Sequence, residues 1–162
     1  MKDRKGEHPF GDAGQLILLL VFLAVWIVDS FVLHPSRTFR GEVFLVLRLA
    51  GFVLCCALAW WLLRSGSEAL RDANRPAKVL ATGAFRRVRH PLYLAELMVY
   101  IGLSLATLSW PGLILTVVIF FFLDYIARFE EKVMASKFGE EYEAYKARTG
   151  RWFPRYRRSL WV

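Results

Sequence analysis

Cysteine is scarce in this sequence, and the short motifs that mark most soluble enzymes are missing. Only Cys55 and Cys56 are present, side by side inside an apolar run. Neighbouring positions on a helix point to different faces, so no disulfide between them is expected. Two thiols without a nearby histidine make no metal site either. They read as small, polarizable packing residues. No GxGxxG follows a strand, and there is no Walker-type glycine loop, no HExxH and no GxSxG elbow. The chemistries built on those motifs drop out. Acidic residues are also short, 14 against 22 basic ones, for a net charge of +8. No base-reading module accompanies that charge, so nucleic acid is not an expected partner.

What the sequence does have is apolar length. Of its 162 residues 56% are hydrophobic, which sits poorly with a strong positive charge in a soluble domain. It suits a single all-α membrane bundle whose apolar spans alternate with basic loops. Four apolar segments are expected to span, over 14–33, 43–63, 92–108 and 111–127. The last two are short, and either can extend at its basic end. The 107–112 connection, TLSWPG, allows only a tight helical hairpin, with Pro111 in the first turn of the fourth helix. Trp110 belongs at head-group level, and Trp60 and Trp61 mark the end of the second span. No small-residue cleavage site follows the first segment, so it reads as a retained anchor.

Charge sets the orientation. Three basic residues precede the first segment, seven lie in the 64–89 loop and nine in the C-terminal tail, so 19 of the 22 fall on one side. Both termini are therefore expected in the cytoplasm. In the tail, Phe129, Val133, Phe138, Tyr142 and Tyr145 recur every three to five residues. That spacing predicts a cytoplasmic amphipathic helix, broken at Gly139.

Polar groups inside a bilayer are costly and each asks for an explanation. Asp29, Arg48, Glu96 and Asp124 are the candidates. Asp29 reads as structural, and Arg48 lies near enough to the outer end of its helix to snorkel. Asp124 has Arg128 four residues on, an ordinary helical pair. Glu96 either snorkels or meets a loop arginine. The hairpin brings Glu96 and Asp124 to similar depth, and His90, Tyr93 and Glu96 share one side of a helix start. One at a time these residues have bland readings. Their convergence on one end of the bundle does not.

The stretch TGAFRRVRHPLYLAE, a helical hairpin, and then FEEKVMASKFGEEYEAYKARTGRWFP resemble the isoprenylcysteine carboxyl methyltransferase and phospholipid methyltransferase superfamily. The pattern is carried by Gly83, Phe85, Arg89, His90, Pro91 and Tyr93, then Glu130 and Glu131. Phe138, Gly139, Tyr142, Tyr145, Arg151 and Pro154 complete it. It covers roughly residues 81–154. Ala95 stands where many members have glycine, and members specific for prenylcysteine tend to have more spans.

The resemblance implies an integral-membrane enzyme that moves a methyl group from S-adenosylmethionine to a small lipophilic acceptor entering from the bilayer. Its catalytic pair would be Glu131 and Arg151. The cofactor would be held by Phe85, Val88, Arg89, His90, Tyr93, Glu96, Glu130, Tyr142 and Tyr145. An isoprenylcysteine-like carboxyl, an amine and a thiol all stay open as acceptors. A related C-terminal pattern occurs in nicotinamide-dependent sterol reductases, and a non-enzymatic lipid-binding module is the remaining alternative. The topology has a direct check. Fluorescent-protein fusions at either terminus are expected to mature inside the cell; alkaline phosphatase activity from a C-terminal fusion would contradict that.

Overall fold

A computed structural model describes residues 11–33, 42–72 and 79–155. The basic residues Lys2, Arg4, Lys5, Arg37, Arg40, Arg75, Lys78, Arg157 and Arg158, which weighed in the orientation, lie outside the described residues. Helix α1 (Gly11–Ile27) runs into a π turn, Val28–Leu33; α2 spans Glu42–Asp72; a 3₁₀ turn, Gly83–Arg86, leads into α3 (Pro91–Thr107); α4 spans Trp110–Phe138 and α5 Glu140–Arg148. Among the described residues there is no strand, only one isolated bridge between Val88 and Gly150.

The chain is an all-α membrane bundle. α1 with its π turn, α2 and α4 are each long and apolar enough to cross a bilayer. α3 is the fourth apolar helix, 17 residues long and so about 26 Å from end to end. Leu20, Phe31, Leu54, Ile114 and Phe121 are each more than half exposed. In water such a surface would aggregate; in a bilayer it is the surface that meets lipid.

Two of the expected boundaries were wrong in the same direction. α2 runs on to Asp72, nine residues past the expected end at Leu63, so Trp60 and Trp61 lie within it. They carry Arg64 and Arg87 over their rings at 5.3 and 5.2 Å. α4 continues unbroken to Phe138, so the amphipathic tail is not one separate helix. Its first part is the end of α4, and only α5 stands beyond the break at Gly139. Hydropathy ends where the chain leaves lipid, whereas the helix has no reason to end there. α3, by contrast, gains nothing at its basic end. Pro91 occupies the first turn and holds His90 out of helical geometry, at φ −123° and ψ 65°.

α3 is the central element, packed chiefly along α2 and then against α4, while α1 lies on α4. Phe22 of α1 packs on Tyr100 of α3, ring centroids 4.4 Å apart, in a core shared with Leu97, Ile119, Leu123 and Trp152. Ala95 is fully buried in a second cluster with Ala59, Leu62, Ala84 and Val88. At the far end of α3 the last carbonyls need partners, because lipid offers none. The Trp26 indole donates to the Leu103 carbonyl at 3.0 Å and Arg48 Nε to that of Ala106 at 3.1 Å. Arg48 is thus a cation at a helix C-terminus rather than a snorkelling side chain. Asp29 is buried within the π turn. The hairpin is as tight as its sequence requires: Leu108 takes a left-handed φ of 56° and Ser109 Oγ accepts from the Gly112 N–H at 3.1 Å.

Gly83 starts the 3₁₀ turn at φ +54°, and a Cβ there would stand 2.7 Å from the Ser65 carbonyl oxygen of α2. Gly83→Ala should therefore cost about 1–3 kcal/mol, read as a lowered thermal midpoint in detergent. An unchanged midpoint would contradict the contact.

Candidate active site

The RHPxY stretch lies where the loop enters α3, and the proline decides its layout. Because the helix cannot start before Pro91, Arg89 and His90 stay on the loop while Tyr93 falls in the first turn. The extra turns of α4 run beside them and bring Glu130 and Glu131 alongside. At Gly139, with φ +53°, the chain turns into α5 and then returns. The returning strand is zipped to the loop. The Arg89 N–H donates to the Gly150 carbonyl at 2.9 Å, Val88 bridges Gly150, and the Tyr145 hydroxyl donates to the Phe85 carbonyl at 2.7 Å. Arg89 Nη1 also donates to the carbonyls of Thr149 and Lys146.

Glu131 is the centre. Its side chain is 6% exposed, and its two oxygens accept from three residues in two separate parts of the chain. Arg89 Nε lies 2.9 Å, Arg151 Nε 2.8 Å and His90 Nε2 3.3 Å from Oε1, while Arg151 Nη2 reaches Oε2 at 2.8 Å. The Arg151 contact is the two-pronged fork that arginine and carboxylate geometry favours. The remaining Arg151 nitrogen, Nη1, donates to Asp124 Oδ1 at 3.0 Å, and the Trp152 indole donates to the same oxygen at 2.9 Å. Next to this network the Tyr93 hydroxyl donates to Glu130 Oε1 at 2.7 Å, and His90 Nδ1 stands 3.6 Å from Glu130 Oε2. The His90 and Tyr93 rings are parallel within 2°, with centroids 5.5 Å apart.

The hydrogen bonds that Arg151 donates to Glu131 raise it above the usual guanidinium range, against a smaller opposing effect of burial. Burial lifts the Tyr142 phenol, helped by the Glu131 charge. Burial likewise lifts Tyr145, helped by Tyr142. Around Glu131 the site is therefore a fixed cation flanked by neutral phenols.

Most of the residues implied by the sequence meet here. Glu131, Arg151, Arg89, His90, Tyr93 and Glu130 join through side chains. Tyr142 and Tyr145 are buried beside them, ring centroids 5.9 Å apart. Phe85 contributes its carbonyl and Val88 its backbone bridge. Glu96 stands apart: it accepts from the Tyr100 hydroxyl at 2.6 Å and meets no arginine among the described residues. The expected Asp124–Arg128 pair forms, at 2.7 Å, but Asp124 also anchors Arg151 and Trp152. Trp152 and Gln15 were not singled out from the sequence. Gln15 of α1 acts electrostatically on the Tyr93 side chain, and its visible signal was a polar amide at the very start of an apolar run.

Removing one partner of a buried ion pair strands the others. Glu131→Ala leaves Arg89, 8% exposed, without its carboxylate and should cost about 3–5 kcal/mol. Tyr145→Phe removes one neutral hydrogen bond and should cost about 0.5–1.5 kcal/mol. Unfolding in mixed micelles ranks the two, and equal losses would contradict the network.

The sequence profile of the phospholipid methyltransferase family matches residues 47–141. The match runs from α2 to the start of α5, the stretch that holds Arg89, His90, Tyr93, Glu130 and Glu131. No curated protein and no solved structure matches the chain. On a match that covers more than half of its length, over a bundle of membrane-spanning helices, the chain belongs to the phospholipid methyltransferase family.

Proposed function

We propose that the protein transfers a methyl group from S-adenosylmethionine to a lipophilic acceptor at the basic end of the bundle. The observation that carries this reading is the Glu131 carboxylate on α4, which gathers Arg89 and His90 from the loop and Arg151 from the tail into one buried network. The residues present fit the cofactor's chemistry. The Glu130 carboxylate suits an ammonium or ribose hydroxyls, and the faces of Tyr93 and Tyr142 suit a sulfonium. His90 can hydrogen-bond an adenine or ribose, and an arginine suits a carboxylate. When bound, the cofactor supplies an electrophilic methyl group for in-line displacement; the protein has to position the acceptor and manage charge.

An ionised carboxylate offers about four lone-pair sites, and Glu131 already accepts four hydrogen bonds. It is placed to hold Arg151 rather than to take a proton. Arg151, held on two sides by Glu131 and Asp124, presents a fixed positive charge to a ligand. Where an acceptor must lose a proton, the His90 and Glu130 pair is the base within reach of the same pocket. The excess of basic residues on this side supports a cytoplasmic site by the positive-inside rule.

Isothermal titration of the purified protein in lipid nanodiscs with S-adenosylhomocysteine tests the reading. Binding in the micromolar range is expected, weakened about tenfold or more by Arg151→Ala. No heat at about 1 mM ligand, or binding of NADPH in its place, would overturn it.

A further inference from the structure

The three helices α1, α2 and α3 line an open cavity of about 380 Å³, a volume that takes a single small organic molecule. Its walls are mainly leucines of all three helices, among them Leu19, Leu63 and Leu92. Three polar side chains line it as well: Gln15, Glu96 and Tyr100. Glu96 lies five residues into α3, about 7.5 Å along the helix from Pro91. A carboxylate in a membrane-spanning helix is costly, and such residues face partners or pathways. Among the described residues the hydrogen-bond partner of the Glu96 side chain is one hydroxyl, that of Tyr100, on one of its two oxygens. No lysine or arginine of the described residues pairs with it. The cavity thus holds a carboxylate with unused accepting capacity in otherwise apolar walls. It is also linked to the cluster around Glu131. Gln15 lines the cavity and acts electrostatically on the Tyr93 side chain, whose hydroxyl donates to Glu130.

Resting on the methyl-transfer reading above, we infer that this groove seats the acceptor, with Glu96 as its specificity-determining residue. It selects a single-chain lipophile whose polar group donates a hydrogen bond or carries positive charge, and it refuses a carboxylate. The physical ground is the sign of the anchor. Glu96 can accept hydrogen bonds and attract a cation. A second carboxylate brought beside it in apolar walls meets like charge where no solvent screens it. Of the acceptors the sequence left open, the carboxyl is the one this groove disfavours. Glu96, implied by resemblance to hold cofactor, is assigned to the acceptor instead, because it lines this cavity and touches none of the residues around Glu131.

Three photoreactive probes with the same diazirine-bearing dodecyl chain, ending in an amine, an alcohol or a carboxylic acid, test the assignment. Each is added at pH 8 to the full chain in nanodiscs without any methyl donor, and crosslinks are mapped by mass spectrometry. The amine and the alcohol are expected to label α1 and α2 near Leu19 and Leu63, and the acid about tenfold less or weaker still. Glu96→Gln should raise labelling by the acid to that of the alcohol and lower labelling by the amine. Val99→Trp, which fills the groove and leaves Glu96 in place, should abolish labelling there by all three. Equal labelling by the three probes in the natural sequence overturns the proposal even should Glu96→Gln fold poorly. So does an unchanged preference in a folded Glu96→Gln protein. No turnover enters the measurement, so its failure is separate from failure to bind S-adenosylhomocysteine.

Discussion

A buried carboxylate with two arginines on it holds this structure's working end together. Glu131 sits on α4, one of its arginines is on the loop before α3, and the other is on the strand returning from α5. Each of those segments is short and would have little reason to stay put on its own. The loop has a 3₁₀ turn and the tail a nine-residue helix. Ion pairs at a solvated surface would contribute little. Here the geometry is two-pronged and the partners are shielded, so taking one group away leaves the others with the full cost of burial. The same property that makes the network fragile to substitution makes it specific. Only one arrangement of loop, helix and tail fills the sites on Glu131.

The membrane explains why this polar assembly sits where it does. Within lipid the backbone must be satisfied by helices, so irregular chain is confined to the bundle's ends. Pro91 turns that limit to use by keeping Arg89 and His90 off the helix, next to Glu131, while the apolar part of α3 begins at once. A histidine, a phenol and a carboxylate then lie within a few residues of an oily groove. A water-soluble ligand and a lipid-soluble one can each approach from its own phase.

Much of this was readable in the sequence, for identifiable reasons. Hydrophobic runs need only composition, so the first and third segments fell within three residues of their helices. The far end of α2 was missed because helix outside lipid leaves no hydropathy signal, and that of α4 was read as part of a separate amphipathic helix for the same reason. Gly66, which looks like a stop, instead lets Leu92 pack close, since a Cβ there would lie 3.0 Å from its side chain. The residues around Glu131 were implied by resemblance to a family pattern ordered over seventy-odd residues, not by any local rule. Asp124 was understated because Arg128 accounts for it so neatly; its second role depends on Trp152 and Arg151 arriving from the tail. The groove around Glu96 belongs to three helices at once, and only their packing reveals it.

The central claim is that Glu131 and Arg151 act as one unit across α4 and the tail. A double-mutant cycle with Glu131→Gln and Arg151→Gln, scored by unfolding free energy in mixed micelles, measures that directly. The account predicts that the double variant loses less than the sum of the singles, with a coupling of about 1–3 kcal/mol. Losses that simply add would mean that the pair does not hold the tail to the bundle, and the account would be wrong at its centre.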